Sequence, residues 1–339
     1  MARAAYNAIF NIDIKSLIFS FGEELETDTF GHTNFLVLGT GGKEHEGPDL
    51  TDAIMVISVD YENNLAPMIS IPRDLYVEST QIGPSKINSL YALGKYKLED
   101  STQGLEIAKD AVEDIVGVPI HYYIKVNFEG FEQIIDSIGG IDIDVEETID
   151  DPFYPKDGTI GYDPFYIKKG QQHIDGETAL KYVRSRKTTS DFDRSKRQQQ
   201  VLLAIKEQAL EKKVLTNSGK IKEIFFSLQE NIETDLSVRE IIKFGEIAIN
   251  FNTESIIPRV LHDDPSLCGG FLYTPDRNLY GGTFVLIPAG EDFGFVHLFA
   301  QFLLGNTELS KNRPKIQILN GTATPLLAGR TKSRANSGL

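Results

Sequence analysis

At 339 residues, 41% of them hydrophobic and 24% charged, the chain has the make-up of a globular protein with room for one large domain or two smaller ones. Its net charge of −15 argues against a general nucleic-acid binder, which shows a basic face, and disfavours a broad electrostatic grip on anionic lipid. The single cysteine, Cys268, excludes an internal disulfide and a Cys-based zinc site, and leaves the compartment open.

No apolar run reaches the roughly 18 residues of a membrane-crossing helix, so none is expected within the sequence. The opening stretch from Ala4 to Phe21 carries Ile9, Phe10, Ile12, Ile14, Leu17, Ile18 and Phe19, but Asn11, Asp13 and Lys15 interrupt it. It reads as an amphipathic packing helix, with a juxtamembrane segment as the sharper alternative. Phe35-Leu36-Val37-Leu38-Gly39 predicts a buried strand feeding the glycine loop Thr40-Gly41-Gly42. Residues 53–59 and 66–71 are β-branched strand candidates. Leu105, Ala108, Val112 and Ile115 fall at helical spacing. Tyr122 to Val126 predicts a strand, Phe128 to Ile138 a helix, and Ile141 to Val145 a half-buried strand. Asp175 is placed to cap a helix through Val183, and residues 195–213 predict a stronger one. Helices near 221–230 and 237–249 follow, then strands near 255–261 and 283–288. Interleaved strands and helices predict a layered α/β (αβα) core with a central mixed sheet. The expected division is a leading segment over 1–31, a main domain over 32–305, a polar linker over 306–314, and the start of a further domain over 315–339.

The charge pattern points to a function. Lys181, Arg184, Arg186, Lys187, Arg194, Lys196 and Arg197 crowd one short stretch, opposed there only by Asp191 and Asp193. Arginine presents a fixed fork of donors that suits phosphate oxygens. Arg194, Arg197 and Gln198 stand at i, i+3 and i+4 near a predicted helix start, where free N–H groups also favour anions. The competing reading is a solvated first turn with surface ion pairs. Arg184 and Arg186 alternate in a segment predicted to be extended, so both point to one side. Decoration of a helix C-terminus is the alternative. Pro72 ends a strand and sets Arg73 at its tip, with Asp74 available to orient an arginine or simply to pair with Arg73. Asp52 precedes a strand and reads either as an oxygen ligand for Mg²⁺ or as a turn aspartate. Asp191 reads as an arginine holder or a base. Lys86 and Asn88 either reach a ligand or finish a strand, and His45 reads as a loop histidine. No Ser/His/Asp triad, Walker loop or HExxH motif occurs.

The strings FLVLGTGG (35–42), LTDAIMVIS (50–58), SIPRDLYV (70–77), KINSLYALG (86–94), FEQIIDSIGGIDIDV (131–145) and HIDGETALKYVRSRKTTSDFDRSKRQQ (173–199) resemble the LytR-CpsA-Psr family of bacterial cell-wall glycopolymer transferases over roughly residues 32–295. KIQILNGTATPLLAGRTKS (315–333) resembles the beginning of a LytR C-terminal domain. The resemblance implies a membrane-anchored, extracytoplasmic enzyme that moves a glycopolymer from a polyprenyl-pyrophosphate carrier to peptidoglycan. It implies that Arg73, Arg184, Arg186, Arg194 and Gln198 hold the pyrophosphate, with Arg197 and Lys86 as further candidates from the charge pattern. It also implies that Asp52 binds Mg²⁺ and that Asp52 or Asp191 serves as base. An apolar tunnel for the polyprenyl tail belongs to the same expectation. Two departures stand out: Gly41 replaces an acid usual after the first strand, with His45 or Glu46 as possible substitutes, and Asp193 replaces a usual glycine. A non-catalytic binder of the same lipid and a pyrophosphate hydrolase are the rival readings.

Overall fold

The computed structural model describes residues 25–43, 45–156, 161–185, 191–249, 251, 255–305 and 307. In chain order the strands are β1 (His32–Thr40), β2 (Thr51–Asp60), β3 (Ala66–Ser70), β4 (Tyr76–Ser79), β5 (Gly83–Lys86), β6 (Tyr122–Asn127), β7 (Ile141–Val145), β8 (Ile149–Asp151), β9 (Phe165–Ile167), β10 (Gly170–Ile174), β11 (Ile232–Thr234), β12 (Ile256–Val260), β13 (Leu272–Tyr273) and β14 (Ile287–Pro288). The helices are α1 (Leu90–Leu98), α2 (Ser101–Val116), α3 (Phe128–Ser137), α4 (Gly176–Arg184), α5 (Asp191–Glu211), α6 (Ser218–Ser227), α7 (Val238–Ala248) and α8 (Gly294–Gly305).

A six-stranded mixed sheet forms the centre, in the order β11-β6-β1-β2-β3-β12. β1 runs antiparallel to β2 and parallel to β6, and β3 runs parallel to β12. The run Phe35-Leu36-Val37-Leu38 feeds both faces, as a strand covered on two sides must. On one face Leu36, Leu38, Ile54 and Ile69 pack with Leu105, Val112 and Ile115 of α2 and with Phe299 and Leu303 of α8. On the other, Phe35, Val59 and Tyr122 meet Phe244 of α7. A separate apolar cluster joins β7 and β10 to α3, α4 and α5 through Ile135, Ile141, Ala179, Val183 and Val201. The layered α/β expectation holds.

Caps fix the helices that matter most. The Asp175 carboxylate accepts from Thr178 N and starts α4, and Ser237 with Glu240 forms a capping box on α7. Three boundaries depart from the sequence reading. The strand expected over 283–288 shrinks to Ile287–Pro288, because Leu286 spends its backbone groups on Asp74 O and Tyr76 N beside β4. The helix expected from 195 opens at Asp191. Thr307, placed in the linker by sequence, is buried and donates to Asp60 Oδ2 at 2.5 Å. The amphipathic stretch before residue 25 and the tail from 308 lie outside the described residues.

Candidate functional site

The C-terminal ends of β1, β3, β6 and β12 and the start of β2 share one edge of the sheet. Such an edge is where open α/β sheets place ligands. A cleft of about 160 Å³ opens here, its polar lining including Asp52, Arg73, Arg194, Gln198, His262 and Asp263, with Ile54, Ile71, Val260, Leu261, Phe284 and Leu286 as apolar walls.

Asp52 reaches the cleft through a bulge. Gly39 pairs with Ala53 and Thr40 with Thr51, so Asp52 is the extra residue of β2. A bulge re-aims a side chain in this way. Gly39 permits the close pairing, since a Cβ there would sit 3.0 Å from that of Ala53. The Asp52 Oδ2 atom accepts from Arg73 Nη1 at 2.9 Å, and Oδ1 accepts from Asn88 Nδ2 at 3.2 Å. Asn88 is nearly buried, and its backbone carbonyl accepts from the Thr51 hydroxyl. Asp74 stands behind Arg73, its Oδ2 3.7 Å from Arg73 Nε and its Oδ1 accepting from Lys86 Nζ at 2.5 Å. Asp74 thus orients Arg73, and Lys86 both completes β5 and braces Asp74.

Arg194 and Arg197 are each only 7% exposed, which rules out a solvated first turn. They diverge, however. At about 100° per helical residue, Gln198 lies about 40° from Arg194 on one side and Arg197 about 60° on the other. Arg194 and Gln198 therefore line the cleft. Arg197 instead donates to Ser185 O and lies 5.6 Å from the Tyr182 ring, and burial pushes its pKa down. Of the remaining cations, Lys181 is tied to Asp163 and Glu177, and Lys196 is exposed.

Arg184 is the last residue of α4, inside the helix rather than after its end. Its guanidinium stacks 4.2 Å from the Phe128 ring centroid, lies 5.4 Å from that of Tyr154, and places Nη2 2.9 Å from His45 Nε2. Phe128 follows Asn127, which pairs with Thr40. Arg184 thus approaches the same sheet edge at the tips of β1 and β6, beside the cleft at the tips of β2, β3 and β12. Arg186 and the Asp191 side chain lie outside the described residues.

Two further amides went unread in the sequence. Gln199 Nε2 donates to Ser70 Oγ at 2.9 Å and Arg259 O at 3.1 Å, pinning α5 to the ends of β3 and β12. Gln200 accepts from the Tyr182 hydroxyl and donates to Asp144 O. The run Gln198-Gln199-Gln200 was the available signal: three adjacent amides on a helix face three directions, so each needs its own partner.

Fold and site together define an α/β protein with two cleft-lining arginines, an amide and two aspartates at the strand-tip edge of its sheet, an arrangement able to hold an anion with or without a cation. The chain belongs to the LytR_cpsA_psr family, which it matches over residues 11–272. It is 32% identical over 235 residues to the polyisoprenyl-teichoic acid–peptidoglycan teichoic acid transferase TagV of Bacillus subtilis (strain 168), covering 68% of this chain and 54% of the relative. It is 34% identical over 201 residues to a TagU transferase of the same description from Bacillus anthracis (strain CDC 684 / NRRL 3495), covering 58% of this chain and 59% of the relative. The matches thus span only a little over half the length of these relatives. The crystal structure of B. subtilis TagV superposes with a TM-score of 0.60 at 28% identity, covering 80% of this chain and 97% of that one.

Proposed function

We propose that this chain transfers a glycopolymer from a polyprenyl-pyrophosphate carrier to peptidoglycan, as a membrane-anchored protein outside the cytoplasm. The observation that carries the reading is the convergence of Arg73 and Arg194, remote in sequence, on one cleft with Asp52 and Gln198. Family membership and the transferase names of the relatives support it. The anchor and the location rest on the family alone; among the described residues no helix is long and apolar enough to cross a membrane.

In this reading Arg73, Arg194 and Gln198 hold the diphosphate, Arg184 reaches it from the neighbouring strand tips, and the family resemblance adds Arg186 to the set. A peptidoglycan hydroxyl attacks the phosphorus nearer the glycan. The new O–P bond forms as the bond to the bridging oxygen breaks, and polyprenyl phosphate leaves. The hydroxyl proton passes to Asp52 or Asp191. Guanidinium groups already in place stabilise the charge that develops on the phosphoryl oxygens.

Mg²⁺ belongs to the proposal through Asp52. Its side chain is 34% exposed beside the cleft. The described residues hold no group of three His, Cys, Asp or Glu that could form a cage. Asp52, with Asp263 on the same cleft, fits an ion held by one or two carboxylates and substrate oxygens, as Mg²⁺ commonly is. When bound, the ion would neutralise phosphate charge.

One observation favours a non-catalytic binder as the second reading: both oxygens of Asp52 are already engaged, by Arg73 and Asn88. A transfer assay with a lipid-diphosphate-linked glycan and peptidoglycan separates the two. Arg73→Ala and Arg194→Ala should each lower turnover roughly a hundredfold. Wild-type turnover in both variants refutes the site, and tight binding without product refutes the transferase.

A further inference from the structure

The loop between β1 and β2 carries a histidine that the reading above leaves unused. His45 N donates to Gly42 O, which curls the loop and lays the imidazole over Gly41. A Cβ on Gly41 would stand 2.7 Å from His45 Cβ and Cγ and 2.9 Å from Nδ1, so only glycine leaves the ring this place. The ring meets Phe128 edge-on at 5.1 Å, and the Arg184 guanidinium stacks on that same phenyl ring.

The two ring nitrogens are not equivalent. Nδ1 lies 2.6 Å from Glu46 O, a group that can only accept, so Nδ1 carries the proton. Nε2 is then the lone-pair atom, and it lies 2.9 Å from Arg184 Nη2, a group that can only donate. The contacts on both sides select one neutral tautomer.

We propose that His45 is a positioning residue for Arg184, holding its guanidinium toward the diphosphate site through a neutral acceptor. The inference rests on the reading of Arg184 as a diphosphate-binding group. An arginine is commonly fixed by a carboxylate, which brings a negative charge to the spot that must receive an anion. The imidazole fixes direction and brings none. Gly41 is the other half of the device, because any larger residue displaces the ring.

The test is titration calorimetry with farnesyl diphosphate as a soluble probe, with thermal unfolding of every variant alongside. His45→Ala should weaken binding roughly tenfold with little change in Tm, since close partners couple by about that factor. His45→Gln, which restores a neutral acceptor, should recover affinity to within about twofold of wild type. In an Arg184→Ala background, His45→Ala should cost nothing further. If Arg184→Ala alone leaves affinity unchanged, the assignment of Arg184 fails and the inference falls with it. If Arg184→Ala weakens binding while His45→Ala does not, or the two losses multiply, only the positioning role is overturned. A glutamine variant as weak as the alanine variant overturns it as well.

Discussion

Arg197 offers the sharpest separation between what the charge pattern suggests and what the geometry assigns. By charge it belongs with the diphosphate-binding arginines. By position it donates to Ser185 O and faces the Tyr182 ring, inside the contact between α4 and α5. Arg197→Met keeps a long apolar stem and removes the guanidinium fork. Loss of a charge-assisted hydrogen bond costs about 1.5–3 kcal/mol. Loss of the cation–π contact adds about 0.5–1 kcal/mol. Relief from burying a guanidinium, the effect that lowers its pKa, offsets part of this. A net loss of about 2 kcal/mol follows, equivalent to a fall in Tm of about 4–8 °C for a domain of this size. Scanning calorimetry reads the Tm, and farnesyl diphosphate titration well below the transition reads the affinity. Arg197→Met should be destabilised yet bind within about twofold of wild type, whereas Arg194→Met should lose affinity roughly tenfold at near-normal Tm. An Arg197→Met protein of unchanged Tm whose affinity has collapsed would refute the assignment.

Asp52→Asn removes the partner of Arg73 without changing shape. It should bind metal-free diphosphate at least as tightly as wild type, because the anion no longer competes with a resident carboxylate, while turnover falls about a hundredfold or more; parallel calorimetry and transfer assays read the two halves. Asp60 controls acid sensitivity elsewhere in the fold. Burial alone would raise its pKa, but hydrogen bonds from Thr307 and Asn63 and the charge of His32 hold it below 3.8. A depressed native pKa contributes stability above the unfolded value and loses it as pH falls through the native one. Urea unfolding of Asp60→Asn should therefore show a shallower loss of stability below about pH 4 than wild type.

The central sheet was legible because its strands bury both faces and so read as unbroken apolar runs, as in Phe35 to Leu38 and Ala53 to Val59. Helices with a clear stripe or cap, such as α2 with Leu105, Ala108, Val112 and Ile115 and α4 behind Asp175, were legible for equally local reasons. Short hairpins were not: Tyr76–Ser79 and Gly83–Lys86 are four residues each, too brief for a period to show. α8 escaped notice because its outward residues Phe295 and Leu298 are as apolar as its inward ones, which blurs the helical stripe. At the site, arginine density pointed to the right region. It did not show which guanidinium faces which way, because Arg197 turns to Tyr182 and Ser185 at the end of α4 while Arg194 turns to a cleft formed by strand ends remote in sequence. Asn88 gave no signal of its own, since its link to Asp52 spans 36 positions. His45 looked solitary because its partner Arg184 is 139 positions away.

The amide of Gln199 has a consequence for how the cleft can respond. By tying α5 to Ser70 and to the Arg259 carbonyl, it sets the gap between the helix that carries Arg194 and the strand tip that carries Arg73 as the chain folds. The two arginine-bearing walls of the cleft are thus laced together from behind by a side chain that itself lies out of the ligand's reach.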